Sequence, residues 1–186
     1  MDRVLLERFF GAIHRQFAYG GVKYAQTKEK EATDCLFDDF GKNWLFGTLA
    51  KYCKRFGNLK REKDLFKIAC YCFILWLKRG YHLDKDGTEE IINTTVETKT
   101  KFFSTFKESF IDYLGTEDFG WAVVYRDKAL ANIYNRLYAF GQLTFIEINE
   151  VDLYDIFYYC YYIWQTEIPD EIKETDEDVN NEQKQK

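Results

Sequence analysis

Four basic side chains stand close enough along the chain to act on one ligand: Lys51, Arg55, Arg61 and Lys67. Tyr52, Tyr71 and Trp44 lie beside them. Lys51 and Arg55 are one helical turn apart, so both heads can reach a single anionic group. Arg61 and Lys67 approach from beyond the Gly57-Asn58 turn signal. Arginine offers forked donors that fit a phosphate, lysine offers a compact charge, and an aromatic neighbour can stack a base. That combination is the chemistry of a nucleotide-phosphate pocket. The alternative is a solvated basic face, with Lys51 and Arg55 neutralised by Asp64 or by acids from the second half of the chain.

A second group is acidic. Asp34 and Asp38 are four residues apart, with Glu31 before them and Asp39 after. On a helix they would place two carboxylates on one face. Mg2+ bound to substrate phosphates needs one or two such carboxylates plus water. With Lys23 and Lys42 nearby, such a metal would promote attack at phosphorus by positioning and charge neutralisation. The alternative is a capped, exposed short helix. Further candidates are weaker. His14 sits among apolar residues and reads as structural. His82 follows a helix terminator and reads as a C-terminal cap. Glu147, Glu150, Asp152 and Asp155 form an acidic run that favourable charge at a helix start explains. The sequence holds no P-loop, no GxGxxG, no Ser-His-Asp order and no HExxH.

The basic group needs two helices and the turn between them. Residues 44–56 carry Leu45, Leu49, Tyr52 and Phe56 on one face, a core stripe. Residues 61–79 carry Leu65, Ala69, Cys72 and Trp76. Gly47 and Ala50 form a small-residue patch. Before this hairpin, residues 4–18 read as a helix stopped by Gly20-Gly21. Residues 33–40 read as a separate short turn closed by Gly41. After it come a linker at 84–97, with an extended segment at 91–96, and helices over 98–113, 126–140 and 151–165. From Pro169 the chain is charged and without aromatics, so residues 168–186 read as a mobile tail.

An internal repeat orders these helices. Phe9, Phe10, Ile13 and Phe17 match Phe102, Phe103, Phe106 and Phe110. Phe56-Gly57-Asn58-Leu59 matches Phe140-Gly141-Gln142-Leu143. Asp64-Leu65-Phe66, Tyr71, Cys72 and Trp76 match Asp152-Leu153-Tyr154, Tyr159, Cys160 and Trp164. The expectation is an all-α helical bundle of two similar three-helix units, a basic one at 1–83 and an acidic one at 98–167, packed through aromatic faces. The second copy loses the basic set: Lys51, Tyr52, Arg55 and Lys67 become Asn135, Arg136, Ala139 and Asp155. A site is therefore expected in the first unit, with the second as buttress.

Composition agrees with this reading. Aromatics make up 19% of the chain and a single proline occurs, which favours helices over a turn-rich sandwich. Residues 1–83 hold 16 basic and 9 acidic residues, whereas residues 84–186 hold 10 and 22. Such asymmetry suggests an anionic partner for the first half, or attraction between halves or between copies. An overall pI near 5.2 argues against nucleic acid. Cys35, Cys53, Cys70, Cys72 and Cys160 contain no CxxC pair and read as buried free thiols of a reducing compartment. No apolar run reaches membrane-spanning length, so the expected location is cytoplasmic, with no membrane partner.

Two segments resemble a known family: N-W-L-F-G-T-L-A-K-Y-C-K-R-F at Asn43–Phe56 and D-L-F-K-I-A-C-Y at Asp64–Tyr71. They are similar to the K-Y-x-x-R and D-L-x-K-A-x-x-Y pattern of small phage-encoded helical proteins labelled nucleotide kinases or dATP/dGTP pyrophosphohydrolases. Lys51, Tyr52, Arg55, Asp64, Lys67 and Tyr71 are the matching positions. The resemblance implies a phage-type nucleotide-related protein, in the host cytoplasm. The expected function is nucleotide binding in the first unit, either sequestration or Mg2+-dependent pyrophosphohydrolysis with Asp34 and Asp38. The alternative is a non-catalytic phage protein that inhibits a host defence protein through its acidic or aromatic surface, alone or as a homo-oligomer.

Overall fold

The computed structural model describes residues 2–24, 32–79, 96–142 and 148–169. Among these the chain is all helical. The helices are α1 (Arg3–Tyr24), α2 (Ala32–Leu59), α3 (Glu62–Lys78), α4 (Val96–Tyr113), α5 (Glu117–Val124), α6 (Ala129–Gln142) and α7 (Glu150–Glu167), with a 3-10 turn at Arg126–Lys128 before α6.

Two helices are buried nearly all round. Leu65, Phe66, Ile68, Ala69 and every residue from Cys72 to Leu77 of α3 are in the core, as are Leu153 to Tyr161 of α7. A helix apolar on every side belongs in the middle of a bundle. Accordingly α3 and α7 form the central pair. They pack between α1 with α4 on one side and α2 with α6 on the other. Buried residues of all these helices join in one core, so the two sequence units share a single interior.

Reciprocal hydrogen bonds fix the central pair. Trp76 Nε1 donates to Glu150 Oε1 at 2.8 Å, and Trp164 Nε1 donates to Glu62 Oε1 at 2.6 Å. Each tryptophan near the end of one helix thus reaches a glutamate at the start of the other, so α3 and α7 run antiparallel. The pairs that sequence comparison aligned, Trp76 with Trp164, are exchanged by this arrangement.

Several boundaries differ from expectation. Gly20 and Gly21 do not stop α1, which continues to Tyr24. Nor does Gly41 divide α2: residues 33–56, expected as two helices, belong to one. A helical glycine costs about 1 kcal/mol, and the apolar contacts of Leu45, Phe46, Leu49, Cys53 and Phe56 exceed that. The reversal after α2 falls at Lys60, not at Gly57-Asn58. Lys60 takes a left-handed φ of 50°, and its N–H returns to Phe56 O at 2.8 Å. Helix α5 was not expected. Thr116 caps it by accepting from the Phe119 N–H, and Phe119 packs edge-on to Tyr158 at 4.9 Å. The extended segment expected at 91–96 gives way at Val96 to the start of α4, and residues 91–95 lie outside the described ones, as do the 84–95 part of the linker, residues 170–186 of the tail, His82 and Glu147.

Cys53, Cys70, Cys72 and Cys160 are buried and outside any disulfide among the described residues, and burial pushes the Cys53 thiol up to about 12. No helix among the described residues is long and apolar enough to cross a membrane.

In the second half of the chain one arginine of α6 neutralises two acids of α7. Arg136 bridges Asp152 and Asp155, the latter at 2.6 Å, and Tyr113 donates its hydroxyl to Asp155. Burial raises the Asp155 pKa above its usual value, against the lowering effects of Tyr113 and Arg136. A carboxyl with a raised folded pKa contributes stability that is complete below the unfolded value and is lost as pH rises through the folded one. Urea denaturation across mildly acidic pH should therefore show stability falling as pH rises through that window. Asp155→Asn should remove that part of the slope, and an unchanged slope would contradict the assignment.

Candidate functional site

The basic side chains named from sequence converge on one ring. Lys51 Nζ lies 4.8 Å from the Tyr52 ring centroid, Arg55 Cζ 5.0 Å and Lys67 Nζ 5.1 Å. Helical spacing supplies Lys51, Tyr52 and Arg55 from one side of α2. The turn at Lys60 folds α3 back alongside, which brings in Lys67. Tyr71, one turn after Lys67, stacks on Tyr52 at 6.1 Å and 19°. Trp44 meets Tyr71 edge-on at 6.2 Å, so Trp44, Tyr71 and Tyr52 form an aromatic ladder between the two helices. An aromatic face attracts cations, which is how one ring holds three of them together.

The cations are not equivalent. Arg55 is committed: its Nε donates to both oxygens of Asp64, at 2.9 and 2.8 Å, and its Nη2 also reaches Asp64. Asp64 is fully buried. The expected neutralisation of the basic face is thus realised for Arg55. It is not realised for the rest: among the described residues no carboxylate forms a salt bridge with Lys51, Arg61 or Lys67. Partial burial lowers the Lys67 pKa, and the charges of Arg55, Arg61 and Lys51 lower it further, against the opposing pull of Asp64. Arg61, exposed at the turn, therefore joins the group through its field on Lys67.

A groove of about 490 Å³ runs along the outward side of α2, lined by Gly47, Ala50, Lys51, Lys54, Arg55 and Asn58. The small-residue patch forms its floor. A methyl group on Gly47 would meet nothing within 4 Å among the described residues, so none of the described helices packs on this stretch. Lys54 was not among the residues expected from sequence. It lies 5.7 Å from the ring centroid of Tyr134 on α6, which in turn stacks on Tyr138 at 6.2 Å. Its spacing three residues after Lys51 was the available signal. The Tyr134 contact joins α2 to α6, a pairing that periodicity does not reveal.

The proposed metal ligands cannot be placed in the same way. Asp34 and Asp38 belong to the first two turns of α2, but their side chains lie outside the described residues, as do those of Glu31, Lys23, Lys42 and Cys35. Asp39 is exposed. Among the described residues no three His, Cys, Asp or Glu side chains are grouped to hold a metal ion.

Lys67 gives this site a pH signature. Its folded pKa lies below the usual 10.5. In the window between them the unfolded chain binds more protons, so stability of the ligand-free fold should rise with pH there. A bound anion restores the proton, so anion affinity should fall over the same window. Lys67→Gln should abolish both dependences without loss of thermal stability, because it removes a crowded charge. A melt of Lys67→Gln well below that of the parent chain would contradict this.

No protein-family model, curated protein or solved structure matches the chain.

Proposed function

We propose that the α2–α3 face binds a phosphate-bearing nucleotide or nucleotide-derived small molecule. One observation carries the reading: Lys51, Arg55 and Lys67 crowd one tyrosine ring, and among the described residues only Arg55 is neutralised by a carboxylate. Like charges held together cost stability, and a polyanion removes that cost on binding. Lys51, Lys67 and Arg61 would take the phosphates. Arg55, locked on Asp64, would add field and position Lys67. Tyr52 and Tyr71 occupy each other's faces, so the half-buried Trp44 at the end of the ladder is the ring offered to a base.

The resemblance to phage nucleotide kinases and pyrophosphohydrolases agrees with this ligand class. In this reading the two units are copies, and the second, with Asp155 where the first has Lys67, serves as buttress. If the chain is an enzyme, Asp34 and Asp38 carry Mg2+ beside the phosphates. Without that metal the groove sequesters its ligand. A thermal-shift panel of nucleoside triphosphates, dinucleotides and inorganic triphosphate, each with and without Mg2+, tests the proposal. Binding at a hundred times Kd stabilises by about 2.7 kcal/mol. No shift with any of these would sink it. Turnover that survives both EDTA and Asp34→Asn would sink the metal role alone.

A second reading rests on a different surface. Trp121, Val124 and Tyr125 lie one turn apart at α5 and are 64%, 65% and 52% exposed. Exposed aromatics grouped in this way mark contact surfaces. They favour a phage protein that binds a host protein or another copy of itself. Trp121→Ala abolishing such binding, with the nucleotide response intact, would support this second reading.

A further inference from the structure

We infer that the groove takes a dinucleotide, a ligand with two bases, the second of which lies in a slot beside Tyr138. This rests on the nucleotide reading of the α2–α3 face and names the class of nucleotide. The observations come from the other flank of the groove, along α6. A methyl group on Gly57 would lie 3.5 Å from Leu130 Cδ2, and Lys54 Nζ lies 5.7 Å from the Tyr134 ring centroid. Positions fall along α2 as they rise along α6, so the two helices run antiparallel. Gly57, Lys54, Ala50 and Gly47 form one stripe of α2, and Leu130, Tyr134 and Tyr138 form the facing stripe of α6. The register that sets Leu130 at Gly57 and Tyr134 at Lys54 brings Tyr138 level with Ala50 and Gly47.

At that level α2 offers almost no side chain. Leu130 closes over Gly57, whereas the position over Gly47 meets nothing within 4 Å among the described residues. Tyr138 is 57% exposed. Tyr134 stacks on one face of its ring at 6.2 Å and 17°, and no second ring among the described residues covers the other. An uncovered aromatic face beside a floor of small residues suits a planar base, whichever base it is. The charges lie between the two flanks. Lys51 sits over Tyr52 on the α3 side and Lys54 over Tyr134 on the α6 side. The two lysines are three residues apart, neighbours on the helix surface. Among the described residues neither forms a salt bridge with a carboxylate. Phosphates joining a base at Trp44 to a base at Tyr138 would rest on this pair. A mononucleotide would occupy one flank only.

The test is calorimetric titration of the full chain with diadenosine tetraphosphate, cyclic di-AMP and ATP. Diadenosine tetraphosphate and ATP carry about equal charge near neutral pH, so the added nucleoside is what separates them. Tyr138→Ala should weaken the tighter-binding dinucleotide about tenfold, the scale of one lost stacked base. ATP should bind the parent and variant chains alike. Tyr138→Phe, which keeps the ring, should bind the dinucleotide like the parent. Ala50→Leu fills the slot from α2 and should reproduce the loss with Tyr138 in place, so the result does not hang on one variant's fold. Unchanged dinucleotide affinity in both Tyr138→Ala and Ala50→Leu would overturn the inference, as would an equal loss for ATP. In either case ATP binding to the parent chain would leave the nucleotide reading standing. Binding of none of the three ligands would remove that reading, and this inference with it.

Discussion

Arg55→Ala should lower stability by about 3–5 kcal/mol, because it strands a buried charge. Asp64 is 0% exposed, and the guanidinium of Arg55 grips both of its oxygens. Arg55 itself reaches solvent, so the asymmetry of the pair predicts the outcome. Removing the arginine takes from the buried carboxylate the hydrogen-bonded salt-bridge partner that grips both of its oxygens. Adding Asp64→Asn to Arg55→Ala should recover much of the loss, since no charge then remains buried. Arg55→Lys should recover little, because an ammonium cannot supply the two-oxygen fork. Lys51→Ala, on the exposed side of the same ring, should stay within about 0.5 kcal/mol of the parent chain. Urea denaturation of these four variants is the measurement. A loss under about 1 kcal/mol for Arg55→Ala would mean that the pair does not hold the turn. This contrast also dictates how the site must be probed: loss of binding in an Arg55 variant mixes misfolding with lost contact, whereas Lys51 and Lys67 variants do not.

Phe157→Ala should cost a similar amount, about 3–5 kcal/mol, through a cavity at the centre of the bundle. Its ring lies 5.5 Å from Phe9, 5.1 Å from Phe10, 5.1 Å from Phe106 and 5.0 Å from Phe110. These partners come from α1 and α4, one helix from each sequence unit. Calorimetry should give a melting temperature lower by roughly 6–20 °C for a chain of this size. It should also give a single transition, because the ring belongs to both units. Two separate transitions would contradict a shared interior.

Much of this was legible in the sequence, for identifiable reasons. The helices over 61–79 and 151–165 were legible from apolar spacing, but that spacing marks a single core stripe and does not foretell their burial on nearly every side. The basic group was legible because Lys51 and Arg55 share a helical face and a turn had to follow. What could not be read was set by tertiary packing. Gly41 and Gly20 looked like breaks because local propensity disfavours them, yet core contacts on either side carry the helices through. Lys60 took the left-handed position although Gly57 and Asn58 were better suited to it locally. Helix α5 is short and lacks a long apolar period, so only its Thr116 cap with Glu117 hinted at it. The division of labour among the cations was also hidden. Asp64 was one of several acids that might have paired with the face, and only the geometry shows it consumed by Arg55 while Lys67 stays crowded by charge.

The central claim is that Lys51 and Lys67 hold the phosphates of a nucleotide. Calorimetric titration of dATP, with and without Mg2+, into the parent chain and into Lys51→Ala/Lys67→Gln tests it most directly. Each lost charge-assisted contact removes about 1.5–3 kcal/mol, so the double variant should bind roughly 100-fold more weakly or not at all, while melting like the parent. Equal affinity of the two chains for dATP would contradict the account.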